Sequence, residues 1–202
     1  MTEKNSIASP DGALSFIFFI FGVLCWYCAT FTLDIGSLFT AGFIEIVLGL
    51  GTLSASLINV IKGKARANIN LLATFLLGFF PGIDHVFMAI CGYYGVSFSF
   101  RIFGLMYILG SIFCFAVMLR RYDRPMYRQA GTLGISLGLF FIGLGECTNI
   151  KLLNQIGGWC MLLFAFEMFY FGLSILYEDY GLALKQGASL KERLDQKHER
   201  KI

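Results

Sequence analysis

Charge is what this sequence has least of. Lys, Arg, Asp and Glu make up 14% of its 202 residues, where a soluble domain carries about a quarter. Hydrophobic residues make up 57%, with 22 Phe among them, more than a single soluble core of this size can hide. Proline is nearly missing, with three residues, and histidine has two, His85 and His198. A structural zinc site needs four ligands, and His198 lies far off in a charged tail, so no metal site is expected. There is no P-loop, no G-x-G-x-x-G ahead of a helix, no H-E-x-x-H and no G-x-S-x-G. Nucleotide-driven and hydrolytic chemistry have no carrier, and no soluble domain is left over to drive a primary pump. The expectation is a protein that is not an enzyme and uses no cofactor. Nor does the start read as a cleavable signal peptide: the first twelve residues are polar, and Lys4 is their one basic residue.

What is present is apolar and long. A membrane-crossing helix needs about 20 apolar residues, and six segments qualify: roughly 13–33, 37–61, 69–90, 98–119, 130–150 and 156–178. Pro81–Gly82 predicts a break in the third, with Asp84 and His85 in an irregular, interfacial end. The net charge of +3 is not a nucleic-acid signature, because the basic residues lie between the apolar segments. Lys62, Lys64 and Arg66 fill the second loop, and Arg120, Arg121, Arg124 and Arg128 fill the fourth. Six more Lys and Arg residues follow Lys185 inclusive, whereas the odd-numbered loops hold Arg101 and Lys151. The positive-inside rule then puts both termini in the cytoplasm. The expected fold is an all-α integral membrane protein with six transmembrane helices as three hairpins. Residues 1–12 form a cytoplasmic N-terminal segment, 13–178 the transmembrane domain and 179–202 a charged cytoplasmic tail. The tail's alternating charges read as a solvated or interfacial helix.

Several polar residues fall inside the apolar runs. Glu45 and Glu167 sit in comparable parts of the second and sixth segments, and Glu146 lies near the outer end of the fifth. A carboxylate in hydrocarbon costs a few kcal/mol or more and faces the bundle interior or water. Glu45 and Glu167 are each either a proton-exchanging group or a structural hydrogen-bond partner, and Glu146 belongs at the water interface. Thr52, Ser54 and Ser56 on the second segment, with Asn68, Asn70 and Thr74 on the third, add a thin polar track suited to a small solute. Ala130, Gly134 and Gly138 mark close helix approach. Cys25 and Cys28, in "CWYC", share one helix face. Two small packed residues and a redox dithiol both fit that spacing, and burial in an apolar helix disfavours the thiolate a redox role needs.

The layout resembles the acetate uptake transporter family (AceTr, YaaH-like), whose bacterial members are succinate–acetate permeases. The resemblance runs from about Ser9 to Gly187. Pro10 in "SPDGALS" stands where the family's N-P-A-P-L-G-L motif begins. Lys62–Gly63 matches its K-G-N-T turn, and Gly157, Gly158 and Trp159 match its A-G-W. Tyr170 matches a Tyr of the sixth helix, and "YEDYG" the acidic segment that ends it. The resemblance implies a hexamer in the cell inner or plasma membrane, each protomer enclosing a narrow pore that carries acetate and related small carboxylates with protons. It implies an apolar constriction at Phe18, Thr74 and Ile135, where the family's Tyr is replaced by Thr. Glu146 aligns with a family Asn. Glu45, Thr52, Glu146 and Glu167 are the candidate proton-coupling or pore-polar residues, and Trp159 and Tyr170 position the sixth helix. The expected partners are a small carboxylate, protons, the lipid bilayer and further copies of the chain, with no nucleic acid. Acid-gated urea channels have a similar six-helix arrangement, so a channel for a neutral solute such as urea or ammonia is the alternative, and a membrane thiol oxidoreductase a third reading.

Overall fold

Six apolar runs dictate six rods. The structure, a computed structural model, describes residues 10–63, 67–97, 99–120, 124–182, 184 and 187–189. Helix α1 covers Pro10–Thr30, α2 Ile35–Ile61, α3 Ala67–Thr74 and α4 Phe80–Tyr94. Helices α5 (Arg101–Arg120), α6 (Met126–Thr148) and α7 (Lys151–Asp179) follow. A π turn over Phe75–Phe79 joins α3 to α4, so these three pieces make one span, and six helices are long and apolar enough to cross a membrane. The charged tail beyond Ser189 lies outside the described residues, as do Lys64, Arg66 and Arg121.

Pro81 does not break the third span, contrary to the sequence expectation; α4 runs on to Tyr94. A proline in a helix lacks an N–H and its ring meets the carbonyl four residues back. The π turn just before it widens that turn, and the N–H of Phe80 bonds Phe75 O instead. Asp84 and His85 therefore sit within a continuous helix. The first and last spans also start earlier than expected, at Pro10 and Lys151. The second starts at Asp34, whose side chain caps Ser37 N at 2.8 Å and also accepts from its hydroxyl. Those bonds, the hydroxyl first, hold the exposed carboxyl below its usual range. Gly63, at φ +64°, closes the same helix in a left-handed turn that a side chain would strain.

Helix α2 has its polarity reversed relative to a helix in water. Its buried face is small and polar: Gly42, Glu45, Gly49, Thr52, Ser56 and Asn59, alternating by three and four residues. Phe39, Phe43, Val47, Leu50 and Leu57 point outward and are exposed. In water that arrangement is unfavourable, whereas in lipid it is the low-energy one, because apolar side chains meet hydrocarbon and polar groups meet each other.

The six spans form a ring in chain order. Helix α1 packs on both α2 and α7, α2 on α3 and α4, and α6 on α5 and α7. Side chains join α4 to α5, including Tyr107 Oη donating to Asp84 Oδ2 at 3.0 Å and the Phe80–Phe103 ring contact. Glycine sets the crossings. A Cβ on Gly42 would fall 2.6 Å from Gly82 O, and one on Gly82 2.8 Å from Gly42 O. Gly104 and Gly143 repeat that reciprocal contact between α5 and α6. Gly22 meets Met161 O and Ala165 of α7 in the same way. A Cβ on Gly157 would likewise fall 2.7 Å from Gly138 O across α6 and α7, so close glycine contacts recur at neighbouring interfaces of the ring.

Candidate functional site

Three residues beyond the crossing glycines Gly22, Gly82 and Gly143 stand Cys25, His85 and Glu146. All three line one cavity of about 60 Å³. It lies toward the end of the bundle that carries the short turns after α1 and α6. Asp84, Tyr107 and Asn154 complete its polar wall. Glu45, fully buried on α2, stands behind it with Oε2 2.7 Å from His85 Nδ1 and Oε1 4.0 Å from the Cys25 thiol. Cys28 shares the cavity wall with His85. Asn154 Nδ2 donates to Glu146 Oε1 at 2.9 Å. Two buried acceptors have no protein donor: Asp84 Oδ1 and Asn154 Oδ1. The cavity therefore offers acceptors to whatever enters it. All six cysteines are free thiols, and among the described residues no cluster of three His, Cys, Asp or Glu side chains could hold a metal ion.

A second cavity, of about 130 Å³, opens toward the opposite end, where the basic loops lie. Its wall includes Phe18, Asn70, Leu77, Thr132, Ile135 and Phe164, with Arg128 and Glu167. Arg128 Nε is 3.0 Å from Glu167 Oε1, and both side chains are largely buried. The guanidinium also lies 3.4 Å over the Phe171 ring. Gly131 makes the pair possible, because a Cβ there would fall on the Cβ and Cγ of Glu167.

An apolar wall separates the two cavities. Ile135 lines the basic-end cavity, and Leu139, one turn further along α6, lines the other. Four residues advance a helix by about 6 Å, so the wall is one turn thick there. Phe18, Phe21, Leu77, Leu139 and Met161 fill it, all buried in one cluster.

The expected site residues divide accordingly. Phe18 and Ile135 face the basic-end cavity at the wall. Thr74 lines neither cavity: it is fully buried, its hydroxyl donates to Asn70 O at 2.9 Å and lies 3.5 Å from Ser56 Oγ on α2. Leu77 stands in the wall on that span instead. Thr52 is also fully buried and returns its hydroxyl to Gly49 O. Glu45 and Glu167, read as comparable, differ: Glu167 lines the basic-end cavity, while Glu45 lines neither and reaches the other through His85. Trp159 is 57% exposed and packs edge-on against Trp26, facing outward from the ring. Tyr170 packs against Tyr127 at 5.1 Å. The sequence reading left Asp84, His85 and Arg128 out of the site. The first two sat in a supposed helix break. Arg128 counted as a loop charge, although Met126 already starts α6.

No family model and no curated protein matches the chain. Its fold is similar to the solved structure of the bacterial acetate channel SatP, with a TM-score of 0.71 over 89% of this chain and 98% of that one, at 17% sequence identity. The chain is thus an all-helical membrane protein that shares its fold with a channel.

Proposed function

We propose that the chain conducts acetate and related small carboxylates across a membrane, accompanied by protons. The observation that carries this reading is the pair of cavities set end to end, each with a few polar or charged side chains in an apolar lining and a one-turn apolar wall between them, in the fold of a known acetate channel. Basic residues gather at one end, so that end faces the cytoplasm, together with both termini. The membrane is the cell's inner or plasma membrane. The working form is a homo-oligomer, a hexamer by family resemblance, each protomer with its own path.

The wall sets the mechanism. A charged carboxylate loses most of its water at Phe18, Leu77, Ile135 and Leu139, which offer nothing in return, and such desolvation is costly. The proton-paired form sheds far less and crosses more readily. Glu45–His85, Glu146 and Glu167 are the groups through which protons would exchange on either side. Trp159 anchors α7 at the lipid boundary, and Tyr170 orients it.

The test is uptake of radiolabelled acetate into proteoliposomes with and without an inward proton gradient. Uptake that rises with the gradient, and at fixed total acetate rises as the pH falls, is the expected result. No uptake by a folded oligomeric sample overturns it. A second reading has its own support: Asp84 Oδ1 and Asn154 Oδ1 are acceptors awaiting a donor, which suits a neutral N–H solute such as urea or ammonia. Flux of that solute that ignores any carboxylate gradient would favour it.

A further inference from the structure

Buried arginine inside a membrane bundle is costly, and Arg128 demands a reason. It stands at the wall of the basic-end cavity, with its Nε 3.0 Å from Glu167 Oε1. A glutamate side chain ends in a CH₂–carboxylate, which differs from acetate only in the chain bond that replaces one methyl hydrogen. The pair is therefore an internal copy of the contact that a solute carboxylate would make, made in a cavity that has room for both.

We propose that Arg128 is the carboxylate-binding residue of the basic-end cavity, and that Glu167 is its tethered competitor. This rests on the reading of the chain as a carboxylate conductor. The cavity, at about 130 Å³, holds the volume of roughly four waters, enough for a two-carbon acid. Its chemistry is divided to match one. Arg128 offers a planar fork of donors that suits a carboxylate, while Phe18, Ile135 and Phe164 form an apolar surface for the methyl end. Phe171 beneath the guanidinium fixes its plane. Solute arriving from the wall takes the fork as Glu167 gives way, and Glu167 retakes it as solute leaves. The arrangement gives binding that is selective for a carboxylate yet weak enough to release.

The experiment pairs equilibrium binding of ¹⁴C-acetate to the purified protein in detergent with flux in proteoliposomes, for wild type, E167Q, R128K and R128Q. E167Q removes the competing charge and keeps the side chain's shape, so acetate binds several-fold more tightly and the half-saturating concentration for flux falls. R128Q weakens both by about tenfold or more, as loss of a charge-assisted bond does. R128K, a point charge without the fork, falls between. Residues serving packing alone would change yield or melting temperature and leave half-saturation where it was. Unchanged acetate binding in E167Q and R128K overturns the proposal even if R128Q fails to fold. Flux without any dependence on these residues overturns it too. Acetate binding that tracks Arg128 in a protein that moves no acetate would keep the subsite and refute the conduction reading.

Discussion

Glu45 joins two spans through one buried pair. It is fully buried, and its one strong partner, His85, comes from a different span. Removing one member of a buried, hydrogen-bonded pair strands the other and costs roughly 3–5 kcal/mol. Glu45→Ala is therefore expected to lower the melting temperature in detergent sharply, whereas Glu45→Gln keeps an acceptor for His85 and loses less. A Glu45→Ala protein that melts like wild type would remove the pair from this account. Glu45 and Glu167 were legible in the sequence, because an acid within an apolar run is conspicuous. Their partners were not. His85 is forty residues from Glu45, and only the ring brings them together. The offset of three residues that aligns Cys25, His85 and Glu146 was hidden, because its reference points are glycines whose pairing shows only in three dimensions.

At the scale of elements, the spans themselves were legible and their ends less so. Hydropathy finds a helix that faces lipid, but it cannot see a π turn that carries a helix past Pro81. The inverted face of α2 was present in the sequence as a run of small and polar residues spaced by three and four. The hydroxyl residues were read together as a polar track, but the seam that Thr52 and Ser56 form with Gly42 and Gly49 was not. That seam yields a prediction. Gly42, Gly82, Gly104 and Gly143 sit where an added Cβ would meet backbone oxygen at 2.5–2.8 Å, and backbone cannot step aside as a side chain can. Gly143→Val should split α5 from α6 and cut the yield of folded protein, while Gly95→Ala, with no neighbour within 4 Å of its Cβ site, costs only the strain of its left-handed turn. Equal yields of the two variants, read by size-exclusion chromatography, would contradict the packing described.

On the scale of the whole molecule, the ring in chain order divides the interior into two chambers. Native cysteines report on both: Cys28 lines one cavity and Cys114 the other. In variants that retain one of these alone, a membrane-impermeant thiol reagent should modify Cys28 from outside the cell and Cys114 from the cytoplasmic side. The reverse pattern would turn the topology over. Composition and loop charges were enough to anticipate a six-helix membrane bundle, but a cavity is a property of side chains from several spans at once, so neither chamber could be read from the chain, and the constriction at Phe18, Thr74 and Ile135 came from the family resemblance alone.

The wall is the claim on which conduction depends, and Leu139 is its most direct probe, because it is buried in the apolar cluster and lines the cavity away from the basic end, at the wall. Acetate flux measured by stopped flow in proteoliposomes should rise in Leu139→Ala, with longer carboxylates admitted, and fall in Leu139→Phe. Flux that is the same in both variants as in the native protein would mean that solute does not pass between the two cavities.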